Sequence, residues 1–166
     1  MTTKINFNGE ICDELSISVM DHGFLFGDSV YEVVSTLNNQ PCFLDKHLDR
    51  LNNSAQAISL TIPHDREWFR EQLKLTLVAA GNEESYIRII VTRGIGEINI
   101  DPSSCESPNI ILIVMDVTSY SQSFYEKGIQ VALVSIKRNP LDSLNPNIKT
   151  GNYLNNVLAK MEAEKL

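Results

Sequence analysis

Lys149 is the residue of this sequence best placed for covalent chemistry. It stands between Ile148 and the pair Thr150-Gly151, where a chain can bend sharply, and Asn145-Pro146 just upstream favours a turn. Downstream, Leu154, Val157, Leu158 and Met161 recur at helical spacing, which predicts a helix from about Asn152. The lysine therefore falls on a short link between an extended segment and a helix N-terminus. The positive end of such a helix disfavours an ammonium, and a partly neutral amine is what Schiff-base chemistry needs. Arg50 lies three residues after His47, so the two share a neighbouring face of any helix there. By spacing alone the pair is an exposed basic edge, paired with Asp45, Asp49 or another acid. Tyr31 adds a phenol that can hydrogen-bond a bound molecule.

The elements that must position these groups follow from periodicity. Residues 4–19 read as a hairpin: Ile5 and Phe7, a turn at Asn8-Gly9, then Ile11 onward with alternating Leu15, Ile17 and Val19. Gly23 and Gly27 hinge a loop between aromatic residues, and Tyr31 to Leu37 reads as a strand reversed at Asn38-Asn39 and returning through Pro41 to Leu44. A helix begins near Leu44 with Leu48, Leu51 and Ala55 on its buried stripe. A second runs from about Asp65 to Ala80, with Trp68, Leu73, Leu75, Leu77 and Val78 as its apolar face and Gly81 as C-cap. The β-branched runs 85–92 and 109–115 predict two more strands, the second fully buried. Between them Gly94-Ile-Gly96 lacks the third glycine of a nucleotide fingerprint and no helix follows, which excludes a Rossmann site. The polar, hydroxyl-rich stretch 118–127 reads as a linker with a helical turn near Ser121, and 128–136 as a strand opening a second domain.

Composition narrows the class. At 166 residues, 43% hydrophobic and 21% charged, the chain is of globular type and long enough for one domain and part of another. A net charge of −7 without any lysine–arginine run argues against nucleic acid. No apolar run approaches the roughly 20 residues that span a bilayer, and the N-terminus lacks the apolar core of a signal peptide. Three cysteines without metal spacing fit a reducing compartment, so the expectation is a cytoplasmic protein with no metal and no membrane partner.

The full pattern Ile-Lys149-Thr-Gly-Asn-Tyr153-Leu-Asn-Asn-Val-Leu-Ala resembles the lysine segment of the class IV (fold type IV) pyridoxal-phosphate aminotransferases. Gly-Asp-Ser-Val-Tyr31-Glu, His47-x-x-Arg50-Leu-x-x-Ser-Ala and Thr-Arg-Gly-x-Gly are similar to further motifs of that family, in the same order. The resemblance implies an α+β fold: a two-layer α/β N-terminal domain over 1–117, a linker at 118–127, and the start of a second α/β domain over 128–166. It implies that Lys149 carries pyridoxal 5'-phosphate, that Arg50 grips the cofactor phosphate and that Tyr153 hydrogen-bonds the cofactor ring oxygen. Tyr31, Tyr86 and Arg88 would face the substrate, and Ser-Tyr86-Ile-Arg88 matches the branched-chain enzymes. The expected activity is transamination between an amino acid, of L-branched-chain type, and a 2-oxo acid, in a homodimer whose 93–102 loop contributes across the interface. D-amino acid aminotransferase, aminodeoxychorismate lyase and a non-catalytic folding or dimerisation module are the alternatives. Family members continue well past the lysine helix, so the chain is expected to be a fragment, without the glutamate that pairs with the cofactor's pyridine nitrogen.

Overall fold

The computed structural model describes residues 2–117 and 120–166. Residues 118 and 119, which open the expected linker, lie outside the described residues. The chain divides into two units, one of residues 2–117 with Ile148–Gly151, the other of 120–147 with 152–166.

The first unit is built on a six-stranded antiparallel sheet in the order β2-β1-β6-β5-β3-β4. Its strands are β1 (Lys4–Phe7), β2 (Glu10–Cys12), β3 (Ser29–Leu37), β4 (Gln40–Pro41), β5 (Ser85–Thr92) and β6 (Asn109–Asp116). Asn8 and Gly9 close the first hairpin with positive φ, and Asn38 and Asn39 close β3–β4 in the same way, as two-residue turns between twisted strands require. Glu84 steadies the second turn, accepting from Thr36 Oγ1 and from the backbone N–H of Asn38 and Asn39.

Alternation sorts the sheet into two faces. Val30, Val34, Ile87, Ile89, Val91, Ile110, Leu112 and Val114 are buried against Leu48, Leu51 and Ala55 of α2 (Leu44–Ala57) and Phe69, Leu73, Leu77 and Ala80 of α3 (Arg66–Ala80). Asp65 caps α3 by accepting from Trp68 N, and Gly81 ends it in the left-handed region. The opposite face carries Tyr31, Val33, Tyr86, Arg88 and Ile90. A short helix, α1 (His22–Phe26), is capped by Asp21 and Gly27 in what the two glycines had suggested was simply a loop.

Several expectations need correction. Residues 13–19 do not continue the hairpin; β2 pairs for only three residues, and Ile17 and Val19 are exposed. The buried face of α3 is formed by Phe69, Leu73, Thr76, Leu77 and Ala80, while Leu75 and Val78 point outward. The stripe at 69, 73, 76, 77 and 80 is the continuous helical one; 75 and 78 lie off it. β6 is not buried on both faces, since Met115 is exposed and Ile113 only half-buried.

In the second unit, α4 (Gln122–Lys127) is capped by Ser121, and α5 (Leu154–Ala163) starts two residues later than expected. Stretch 128–136 forms no strand. It has no ladder partner among the described residues, and Val131 and Leu133 are exposed, so alternation there has no sheet to join. Instead Glu162 of α5 accepts from Ser135 N, Ser135 Oγ and Ile136 N, which holds the end of that stretch and keeps the Glu162 carboxyl below its ordinary value.

Candidate active site

The lysine segment is fastened to the first half of β3. Val30 and Thr150 form an antiparallel bridge; Tyr31 N donates to Lys149 O at 3.0 Å and Gly151 N to Ser29 O at 2.8 Å. Lys149 N in turn donates to Ser54 Oγ of α2 at 3.2 Å. Glycine suits position 151, because a Cβ there would press on Ser29 Oγ. Residues opposite one another in an antiparallel pair point to the same face, which places the Lys149 side chain beside that of Tyr31.

Side-chain geometry follows. Lys149 Nζ lies 4.0 Å from the Tyr31 ring centroid, and Arg88 Cζ lies 4.2 Å from the same centroid. Arg88 reaches the ring as a diagonal neighbour, since Tyr31 is opposite Ile90 on β5. Tyr31 itself is buried, and Lys149 and Arg88 are half-buried. Two cations on one phenol ring form a surface suited to a carboxylate or another anion. Tyr86 shares the face with Arg88, two residues along β5, where it is opposite Ser35 and Met115.

Arg50 is half-exposed, and of the acids left open by its spacing neither Asp45 nor Asp49 pairs with it. Those acids pair with Arg70 and Arg66 of α3. Arg50 turns instead to Glu32 of β3, donating through Nε at 2.5 Å and Nη2 at 2.7 Å, while His47 Nδ1 reaches the same carboxylate at 2.9 Å. The Glu32 side chain is 0% exposed. Burial pushes its pKa upward, but the hydrogen bonds and charges of Arg50 and His47 outweigh that and hold it below the ordinary carboxylate value. Glu32 follows Tyr31 on β3, so it lies on the helix-facing side and Tyr31 on the other. His47, Arg50 and Ser54 follow one another at three- and four-residue steps along α2. That helix face thus reaches both the Glu32 carboxylate and the backbone of Lys149.

Tyr31, Arg88 and Lys149 are therefore brought together, Tyr86 is next to them on the sheet, and Arg50 is tied to Glu32. Tyr153, in the second unit, is the N-cap residue of α5. Glu32 and Ser54 were missed by sequence reasoning. For Glu32 the signal was present: a glutamate at a position whose i±2 neighbours, Val30 and Val34, are core residues must have partners.

A buried polar network supports the loop after β5. Asp21 accepts from Gly23 N at 2.7 Å, Thr92 Oγ1 at 2.8 Å and Asn109 Nδ2 at 2.8 Å. Buried His22 donates its backbone N–H to Gly94 O, and its Nε2 lies 2.9 Å from Glu97 O, so that ring nitrogen carries the proton. Arg93 binds Asp28 and the carbonyls of Ile58 and Ser59. Among the described residues no cluster of histidine, cysteine and acid could hold a metal ion.

Comparison with known proteins identifies the family. The family model for amino-transferase class IV matches residues 29–166. A Methanocaldococcus jannaschii protein, provisionally assigned as a branched-chain-amino-acid aminotransferase, is 39% identical over 96% of this chain and 55% of its own length. A D-alanine aminotransferase of Listeria monocytogenes is 31% identical over 92% of this chain and 52% of its own. The solved T.th. branched-chain amino acid aminotransferase complexed with N-(5'-phosphopyridoxyl)-L-glutamate superposes with a TM-score of 0.87, at 27% identity, over 98% of this chain and 55% of that one. The chain thus spans about half the length of the relatives it matches. With the fold, the ordered motifs and the family model in accord, the chain belongs to the class IV aminotransferases.

Proposed function

We propose that the protein is a pyridoxal 5'-phosphate-dependent transaminase that moves an amino group between an L-branched-chain amino acid and a 2-oxo acid. The observation that carries this reading is the Lys149 amine, set by main-chain bonds beside the Tyr31 ring with Arg88 on the same ring. Two features support the cofactor: a primary amine on the sheet face, and Arg50, whose Nε–Nη2 edge is held by Glu32, on the helix whose Ser54 accepts from the Lys149 backbone. Lys149 holds the cofactor through its amine and Arg50 holds the phosphate; Tyr153 is the proposed partner of the ring oxygen. When bound, the cofactor supplies an electron sink that makes an amino acid Cα–H acidic. The chain's own residues do the rest. Lys149 Nζ would take the proton from substrate Cα as general base and give it up as general acid to the cofactor carbon that bears the transferred nitrogen. Arg88 and the Tyr31 hydroxyl orient the substrate carboxylate, and Tyr86 limits the space beside the side chain.

The branched-chain preference rests on Tyr86 and Arg88 sharing one face of β5. The alternatives are a D-amino acid aminotransferase or an aminodeoxychorismate lyase of the same family. In the same reading the protein is a cytoplasmic homodimer, supported by three unpaired cysteines and by the exposed Ile95, Ile98 and Ile100 of the loop after β5. Residues 118–127 link an N-terminal domain to a cofactor domain that begins near 128. The test is a panel of L- and D-amino acids with 2-oxoglutarate, assayed on the full-length protein. The expected result is fastest turnover of L-leucine, L-isoleucine or L-valine. Preference for D-alanine, or pyruvate release from aminodeoxychorismate, overturns the substrate assignment and leaves the cofactor assignment standing.

A further inference from the structure

Glu32 is a carboxylate at a core-facing position, between Tyr31 and Val33 on β3, with no exposed side-chain surface. Four donors converge on it: Arg50 Nε and Nη2, His47 Nδ1 at 2.9 Å and the backbone N–H of Val33 at 3.3 Å. A buried ion pair generally adds little stability over well-packed apolar residues, so fold stability alone is a weak account of this group. What the cluster does fix is the direction of one guanidinium. Arg50 is 54% exposed in its side chain, and a long half-exposed arginine ordinarily samples several rotamers. Here its Nε–Nη2 edge is clamped to an immobile carboxylate on the sheet, while a guanidinium has five N–H donors in one plane and can serve a second acceptor along another edge.

We propose that Glu32 is a positioning residue: together with His47 it fixes the Arg50 guanidinium in the orientation that receives the phosphate of pyridoxal 5'-phosphate. The inference rests on Arg50 being the phosphate ligand, as read above. A carboxylate beside a phosphate-binding arginine acts in one of two ways, and these have opposite signs. As a mere counter-charge it repels the phosphate, and removing it tightens binding. As a positioner it preorganises the fork, and removing it loosens binding. The Glu32 charge is already answered by Arg50, the His47 ring and the Val33 N–H, which leaves a reduced field to repel a phosphate, whereas the ordering of Arg50 depends on Glu32 directly. Positioning therefore wins.

The experiment measures dissociation constants of pyridoxal 5'-phosphate and of pyridoxal, which lacks the phosphate, on the full-length protein and its variants. Glu32→Gln is expected to weaken the phosphorylated ligand roughly 10-fold and His47→Gln by a smaller factor. Pyridoxal binding is expected to change less than about 2-fold in both. In an Arg50→Ala background Glu32→Gln has no further effect. Phosphorylated-ligand binding as tight as the parent's or tighter in Glu32→Gln overturns the proposal, and so does an equal loss for pyridoxal, which marks a general effect on the fold. If Glu32→Gln does not fold, His47→Gln decides on the same criteria. Unchanged binding in Arg50→Ala overturns the phosphate-ligand reading itself, which distinguishes that failure from failure of the positioning role.

Discussion

Tyr31 and Lys149 are joined twice, by the hydrogen bond from Tyr31 N to Lys149 O at 3.0 Å and by the 4.0 Å approach of Nζ to the ring centroid. The first contact belongs to the main chain and does not use the Lys149 side chain. The second depends on the side chain alone, so the reactive amine and the fold are separable by mutation.

Lys149→Ala is expected to remove visible-wavelength absorbance and transamination while moving Tm by no more than about 2 °C, since the half-buried side chain lies outside the core. Borohydride treatment of the cofactor-loaded protein should leave the pyridoxyl label on Lys149. A label found on Lys137 or Lys160 by peptide mapping refutes the assignment.

Arg50→Ala is expected to weaken pyridoxal phosphate binding about 10- to 100-fold, the loss of a charge-assisted fork. It also leaves the buried Glu32 carboxylate with His47 and one backbone donor, which costs about 1–3 kcal/mol; the exposure of Arg50 favours the low end. Urea unfolding reads the second effect independently of cofactor. Arg50→Lys restores part of the affinity, because an ammonium cannot bind bidentately.

Glu32 predicts an acid-side signature. Its folded-state pKa lies below the unfolded value of about 4.3, so the native state stabilises the charged form. That contribution is complete above the unfolded value and is lost as pH falls through the folded one. The stability of the parent relative to Glu32→Gln is therefore expected to be level near pH 6–7 and to decline below about pH 4. A difference that is flat from pH 3 to 7 shows that folding leaves the Glu32 pKa unshifted, and one that falls as pH rises above about 4.3 shows a Glu32 that is neutral in the native state.

Gly151→Ala places a methyl group against Ser29 Oγ and should pull the lysine segment away from β3, at a cost of about 1–3 kcal/mol. Ser29→Ala in the same chain removes the clashing oxygen. The double variant is expected to recover most of the urea midpoint and of the borohydride labelling of Lys149. Additive losses in the double variant refute the contact.

Much of this arrangement was legible from residue order. Asp65 and Gly81 mark the ends of α3 by local cap chemistry, and the runs at 85–92 and 109–116 carry enough β-branched residues to declare strands. Lys149, Tyr31 and Arg88 could be named singly, but their convergence could not, because it depends on which strand neighbours β3 and on the bridge between Val30 and Thr150. Failures came where a pattern needs a distant partner. Leu15, Ile17 and Val19 alternate as well as any strand yet have no neighbour to pair with among the described residues, and 128–136 fails for the same reason. His47 and Arg50 were legible as a pair on one helix face. That they serve a carboxylate on β3 rather than Asp45 or Asp49 is a tertiary fact with no local trace beyond the misfit of Glu32 among valines.

The strict two-face alternation of β3 makes the strand a parity device. Tyr31 faces the amine and Glu32 faces the arginine only because they are consecutive and their neighbours keep step. Inserting one residue between Gly27 and Tyr31 inverts the faces downstream or unpairs Ser29 from Gly151, and both halves of the site fail together. An insertion at Asn38-Asn39 shifts only the turn and β4. A change of length in this part of the chain is therefore compatible with the site only at the far end of the strand, away from the chemistry.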